Sequence, residues 1–218
     1  MIKETALNAG FTLVELLVVI SVIALLMGLL LPVLGRASLQ AKIIAVNAKL
    51  RDIGLALEGY SMDNDGKFPP TRVDCMLGNH FYQLPAELVE AGYLLKPGSD
   101  TFMATSVEDR FNKGFTYKYR AAGTLIYNRT VTVKNGAYLW VPDGFPDNEK
   151  EQGGNYDDPA SCPVSWTLYS QGPDFDLDKM KELNYPVPKK TWYDSKTQKG
   201  IIVRVRLKNG RHIGSFEN

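Results

Sequence analysis

Residues 10–34 read GFTLVELLVVISVIALLMGLLLPVL, and this stretch decides the fold of the N-terminal part of the chain. Its only charged residue is Glu15, so an uncharged apolar run extends over residues 16–34. About 20 such residues, rising 1.5 Å each as a helix, cross the hydrocarbon core of a bilayer. An ionised side chain deep in the bilayer costs about 2.5 to 3.5 kcal/mol on insertion scales. The acid therefore predicts a functional role and a cationic partner.

The nearest candidate cation for Glu15 is an α-amino group. Such a group would exist if the chain were cut between Gly10 and Phe11, because Phe11 would then carry the new N-terminal ammonium. Pairing the two would neutralise two buried charges, and removing one partner would strand the other. A cut at this junction would therefore give Glu15 a cationic partner.

The hexapeptide GFTLVE at residues 10–15 resembles the class III signal of type IV pilins and type II secretion pseudopilins. The resemblance implies that residues 1–10 are a leader removed by a prepilin peptidase, that Phe11 is methylated, and that Glu15 pairs with the N-terminal amine of a neighbouring subunit. An ordinary secretory signal has a shorter apolar stretch followed by a small-residue cleavage site. A plain single-pass anchor explains the length of the run but not Glu15.

The helix is predicted to continue beyond the apolar run. Apolar residues recur at alternating steps of four and three, which is typical of one buried helix face, at Leu39, Ile43, Val46, Leu50, Ile53, Leu57 and Tyr60. We expect one long helix over 11–63, membrane-spanning over 11–34 and amphipathic over 35–63. Pro32 lacks an N–H, so a kink or local melting is expected between Gly28 and Pro32.

A globular head is predicted over residues 64–218. The motif DNDG at 63–66 and the prolines that follow end the helix, and a short second helix is expected over 84–94. Strands are predicted from β-branched and aromatic residues over 115–120, 124–133, 137–141, 164–170, 201–207 and 211–216. Asn135-Gly136 and Asn209-Gly210 signal hairpin turns. The pattern predicts an α+β, pilin-like fold: a long N-terminal helix packed on an antiparallel β-sheet head.

No catalytic motif is apparent in the sequence. It contains no glycine-rich phosphate loop, no Gly-x-Ser-x-Gly and no His-Glu-x-x-His, and its two histidines, His80 and His212, lack neighbours of ligand type at useful spacing. An enzyme is therefore not expected.

The loop after residue 168 concentrates hard oxygen donors, which suit Ca²⁺. It resembles the C-terminal calcium loop of the major pseudopilins, and the resemblance implies the ligands Leu168, Ser170, Asp174, Asp176 and Asp178. The family's glycine-rich spacer is missing, so the aspartates match less well than Leu168 and Ser170. The alternative is a solvated acidic loop.

The two cysteines, Cys75 and Cys162, lie far apart in sequence and have no metal-binding spacing. An oxidising compartment would permit a disulfide between them. The alternative is two free buried thiols.

A basic segment raises a further alternative. Arg204, Arg206 and Lys208 alternate with apolar residues, so three cations would share one face of a strand. Such a face could bind nucleic acid phosphates. It could equally be a charged strand protected from aggregation, or one docked on the acidic loops of a neighbour. Nucleic acid is not the expected partner.

The run at residues 60–69, YSMDNDGKFP, resembles the helix-to-loop junction of major pseudopilins. The resemblance implies a structural subunit of a type II secretion pseudopilus, with a type IV pilin for adhesion, motility or DNA uptake as the alternative. The implied partners are further copies in a homopolymer, prepilin peptidase, an inner-membrane assembly platform, minor pseudopilins and membrane lipid. The implied location is the bacterial inner membrane, single-pass, with the head in the periplasm and surface assembly left open.

Overall fold

The structure is a computed structural model that describes residues 12–217 except 76–79, 149, 151, 174, 175 and 183. Contacts divide the chain into two compact units, Met1–Lys42 and Ile43–Asn218. Helix α1, Leu13–Asp63, is 51 residues long and is helical throughout, including at Pro32. The local melting expected between Gly28 and Pro32 is therefore wrong.

The second unit contains twelve described strands: Thr71–Asp74 (β1), His80–Gln83 (β2), Glu108–Asp109 (β3), Asn112–Thr116 (β4), Lys118–Arg120 (β5), Gly123–Tyr127 (β6), Val131–Ala137 (β7), Leu139–Val141 (β8), Gly154–Tyr156 (β9), Val164–Ser170 (β10), Ile202–Leu207 (β11) and His212–Gly214 (β12). Eight of them form one sheet with the order β12-β11-β10-β5-β2-β1-β6-β7. Two-stranded sheets form from β3 with β4 and from β8 with β9. Neighbouring strands of the large sheet are antiparallel except for the parallel pair β1 and β6.

Three short helical segments complete the second unit. They are α2, Glu87–Glu90; α3, Leu177–Lys181; and a 3₁₀ turn, Lys189–Thr191. The helix predicted over 84–94 is thus present but shorter, because Gly92 adopts a positive φ of 81° just after its end. The α+β, pilin-like fold class is confirmed: a long apolar N-terminal helix packs on a mostly antiparallel sheet.

The C-terminal half of α1 packs on the sheet through the predicted apolar face. Ile43, Val46, Leu50, Ile53 and Leu57 are all fully buried. Between them lies Gly54, where an added Cβ would stand 3.2 Å from the indole of Trp166 and 3.3 Å from the guanidinium of Arg204. A glycine at this position therefore permits close approach between the helix and strands β10 and β11.

One predicted hairpin turn is wrong and one is confirmed. Asn209-Gly210 connects β11 to β12, with Gly210 at a positive φ of 88°. Asn135-Gly136 instead lies inside β7. The turn between β6 and β7 is made by Asn128 and Arg129, which both have positive φ, so the strand predicted over 124–133 is two strands.

Arg120 is a buried cation on β5 that holds two separate segments against the sheet. Its guanidinium donates to the carbonyls of Glu182 and Tyr185, and at 3.3 Å to the carbonyl of Tyr138. It also stacks 4.4 Å from the ring centroid of Tyr82. The loops around residues 138 and 182–185 are therefore fixed by one side chain.

Candidate functional site

Thr12 and Glu15 form the start of α1 through reciprocal hydrogen bonds. The Thr12 N–H donates to Glu15 Oε2 at 2.8 Å, and the Glu15 N–H donates to Thr12 Oγ1 at 3.2 Å. The Thr12 hydroxyl also donates to Glu15 Oε2 at 2.8 Å. This arrangement is a capping box, which satisfies N–H groups that the first helical turn leaves without partners. It holds an exposed carboxylate at a defined place at the start of the helix.

The residues that follow Glu15 are apolar and exposed. Leu25, Leu29 and Leu31 each keep about two thirds of their side-chain surface accessible. By length and composition α1 can cross a membrane, and in the described part of the chain it is the one helix that can. In water this apolar surface would stay hydrated, which costs a free energy of about 25 cal/mol for each Å². The apolar segment therefore suggests membrane anchoring.

The two predicted processing residues, Gly10 and Phe11, lie outside the described residues. Their roles stay predictions.

The predicted calcium ligands that the structure describes each make contacts within the protein. Leu168 lies within β10 between β5 and β11, where its backbone pairs with neighbouring strands. The Ser170 hydroxyl donates to Asp109 Oδ1 at 2.7 Å. Asp176 caps α3 by accepting from the N–H groups of Asp178 and Lys179.

The remaining predicted ligands are Asp178, which is exposed and lies 3.3 Å from Lys181, and Asp174, which lies outside the described residues. Within the described ranges no group of three or more histidine, cysteine or acidic side chains is placed to hold a metal. Calcium binding therefore stays a prediction.

Asp109 organises the turn that follows β10. Its carboxylate accepts hydrogen bonds from the Ser170 hydroxyl, from the Phe111 N–H at 3.0 Å and from the Gln171 N–H at 3.0 Å. Burial raises the pKa of Asp109, and these three hydrogen bonds partly oppose the rise. A buried acid on β3 thus fixes Ser170, one of the residues that were expected to bind calcium.

Lys118 provides a cation near Asp109. It is fully buried on β5, and its ammonium lies 5.2 Å from the ring centroid of Phe115. Its Nζ has no hydrogen-bond partner among the described residues. Burial lowers the pKa of Lys118 to about 8, and the charge of Asp109 partly opposes that change. The head therefore contains a buried ammonium and a buried carboxylate beneath the turn.

Both cysteines are free thiols. Cys75 is half-buried after β1, and its N–H donates to Asn128 Oδ1 at 2.9 Å. Cys162 is buried before β10, and burial raises the pKa of its thiol to about 11. The disulfide that the sequence left open is absent, and the alternative of free thiols describes the structure, with only Cys162 buried.

The arginines of the basic strand bind acids of their own chain. Arg206 lies 2.5 Å from Glu58 of α1. Arg204 pairs with Glu217, which Arg51 of α1 also contacts at 3.2 Å. The expectation of three cations on an open strand face is therefore wrong: the face that carries Arg204 and Arg206 is turned to α1, and Lys208 lies beyond the strand.

His212 adjoins the same ion pairs. Its Nε2 lies 3.8 Å from Glu58 Oε1, and its ring packs 5.5 Å from that of Trp166. Burial, and then the charge of Arg204, lower the pKa of His212, although Glu58 opposes the change. His212 therefore packs between α1 and the sheet.

Comparison with known proteins identifies the start of the chain. The prokaryotic N-terminal methylation motif matches residues 6–31. This prepilin-type motif supports the type IV pilin and pseudopilin superfamily, and a precursor that prepilin peptidase processes. It indicates a structural subunit that polymerises. No curated protein matches the chain. No solved structure matches it.

Thr12 and the pair Asp109 and Lys118 are site residues that were not predicted. The signal for Thr12 was present, because Thr-x-x-Glu before an apolar run is the sequence form of a capping box. Asp109 and Lys118 carry no comparable signal, since the two residues meet only when β3 and β5 fold beside the turn after β10.

Proposed function

We propose that this chain is a structural subunit of a type II secretion pseudopilus, matured by cleavage after Gly10 and polymerised through its N-terminal helix. The observation that carries the proposal is the methylation motif at residues 6–31, which includes the cleavage junction, Glu15 and most of the apolar run. The head would lie in the periplasm, and α1 would cross the inner membrane once. Its partners would be further copies, minor pseudopilins, the assembly platform and lipid.

The position of Glu15 supports polymerisation through α1. Glu15 is the only charged residue between Gly10 and Arg36. Cleavage after Gly10 would place a Phe11 ammonium four residues before it. In a low-dielectric environment each isolated charge is costly, so the ammonium of one subunit and the carboxylate of a neighbour would attract each other. The capping box holds the carboxylate ready for that contact.

The ion pairs made by the arginines of the basic strand favour a pseudopilus over a DNA-uptake pilus. Arg204 and Arg206, which suggested phosphate binding, already pair with Glu217 and Glu58. Binding a phosphate backbone would require breaking these ion pairs. The resemblance at residues 60–69 to the helix-to-loop junction of major pseudopilins also supports secretion.

Processing is tested by intact-mass spectrometry of the membrane-extracted protein. The mature chain should lack residues 1–10 and carry one methyl group on Phe11. Gly10→Val should leave the precursor intact, because a bulky side chain would block the peptidase at the junction. The control is Gly28→Ala, since an added Cβ at Gly28 meets no atom within 4 Å. An intact Met1 on assembled wild-type subunits would overturn the proposal.

The role of the Glu15 charge is tested with two substitutions. Glu15→Gln keeps a hydrogen-bond acceptor for the capping box but removes the charge. Thr12→Val removes the threonine hydroxyl from the capping box but keeps the charge. If Glu15 pairs with a neighbour's amine, Glu15→Gln should abolish filaments in a shearing assay while Thr12→Val still assembles. The opposite pattern would show that Glu15 serves only to cap the helix.

A further inference from the structure

The second unit contains a cleft of about 570 Å³ that the proposed function does not use. It lies where the C-terminal end of α1, the loop after it and strands β10 and β11 meet. Its apolar surface comes from Phe68, Pro69, Pro70, Ala122, Pro159 and Val164. Its volume falls within the usual range of ligand pockets, about 300–1,000 Å³.

The walls of the cleft are held by specific contacts. The Tyr119 hydroxyl donates to the carbonyl of Pro69 at 2.7 Å, which fixes the loop after α1. Phe68 stacks 5.0 Å from the guanidinium of Arg206. On the opposite side Pro159 packs so closely on Gly123 that an added Cβ there would stand 2.6 Å from its ring. The cleft is therefore preformed and needs little ordering to accept a ligand.

Among the described residues, the charged ones that line the cleft are the cations Lys67, Arg206 and Lys208. Lys67 and Lys208 are exposed, and neither forms an ion pair with a residue in the described ranges. Arg206 is neutralised by Glu58, which leaves two uncompensated positive charges. The acid beside Pro159, Asp158, is turned into its own loop, where it accepts from the Ala160 N–H at 3.0 Å. The cleft thus combines an apolar surface with a positive rim.

We propose that this cleft binds an extended acidic segment of a partner protein, with an apolar side chain against Phe68 and Pro159 and carboxylates at Lys67 and Lys208. Charge complementarity selects the ligand, because a basic segment would be repelled and a neutral one would gain no attraction from the two ammonium groups. The apolar surface selects a peptide over a simple anion, because an anion alone would leave that surface hydrated.

Binding is tested with the full chain in detergent micelles and a fluorescein-labelled peptide of about ten residues in which glutamates flank a central phenylalanine and valine. Fluorescence anisotropy gives the Kd. We expect the double variant Lys67→Glu, Lys208→Glu to weaken binding by at least about tenfold, which corresponds to 1.4 kcal/mol. The matched control is Lys113→Glu, Lys134→Glu, because these lysines are equally exposed but lie outside the cleft. It should bind as the wild type does.

Three outcomes would overturn the inference. The first is equal binding of a peptide with glutamine in place of glutamate, and the second is equal loss in the two double variants. The third is sedimentation in which the wild type self-associates and the Lys67→Glu, Lys208→Glu variant does not, because the cleft would then belong to a second copy. The assay requires neither cleavage nor filaments, so its failure leaves the proposed function untouched.

Discussion

Replacing Lys118 with methionine should change how the stability of the head depends on pH. Lys118 is fully buried, and burial lowers its pKa to about 8, although the charge of Asp109 raises it. In the unfolded chain the same amine has an ordinary pKa near 10.5. Between these two values the unfolded chain binds more protons than the native one. Methionine has a similar shape and no charge, so the variant lacks this difference.

The sign and size of the effect follow from proton linkage. A lysine with a lowered native pKa makes the folded state more stable as pH rises, because the unfolded state holds more protons. With pKa values of about 8 and 10.5, the free energy of unfolding of the wild type should rise by about 1.5 kcal/mol relative to Lys118→Met between pH 8 and 9.5. At higher pH, buried tyrosines such as Tyr169, whose pKa values burial raises, oppose this trend.

The assay is urea unfolding of the full chain in detergent micelles, followed by tryptophan fluorescence at several pH values. The contribution of Cys162, whose pKa burial raises to about 11, is the same in both proteins and cancels in the difference. Lys113→Met, at an exposed position, is the matched control. Its free energy of unfolding should differ from that of the wild type by an amount that does not change with pH. If the difference for Lys118→Met also stays within about 0.5 kcal/mol over this range, the reasoning about a buried ammonium is refuted.

Three other changes test the packing, the ion pairs and the metal. Leu57→Ala should destabilise the head by about 2–5 kcal/mol in urea unfolding, because Leu57 is fully buried, whereas Leu55→Ala in the same helix, 72% exposed, should change it by less than about 0.5 kcal/mol. Glu58→Gln should cost about 1–3 kcal/mol by the same measurement, because Arg206 loses its carboxylate partner; an unchanged midpoint would contradict the ion pair. Millimolar calcium should raise the melting temperature by several degrees if the predicted site exists, and equal melting curves in calcium and in chelator would reject it.

The helix and its buried face were predictable because their signals are local. A period of 3.6 residues carries the information about which side of a helix is apolar, and Ile43, Leu50 and Leu57 are buried as that period requires. The strands were found for the same reason, since β10 matches its predicted span of 164–170. The turn predicted at Asn135-Gly136 is wrong because the chain reverses earlier, at Asn128 and Arg129, while Asn135, although also at positive φ, lies inside β7.

The chemistry of the head was less predictable because it depends on contacts between distant parts of the chain. The hydrogen bond from Ser170 could not be predicted, because its acceptor Asp109 lies 61 positions earlier in the sequence. Arg206 looked free on a strand face, but its partner Glu58 lies on α1. A sequence pattern shows that a charge exists and not which opposite charge folding brings to it. Thr12 differs, because the signal for its capping box is local in the sequence.

The three carbonyl contacts of Arg120 have a consequence for how the head opens. Its guanidinium bonds the carbonyl of Tyr138 on one segment and those of Glu182 and Tyr185 on another. Opening either segment breaks hydrogen bonds of this one buried guanidinium, at a cost of about 1–3 kcal/mol for each bond lost. We therefore expect the two segments to open together, in a single sub-global event that amide hydrogen exchange can detect.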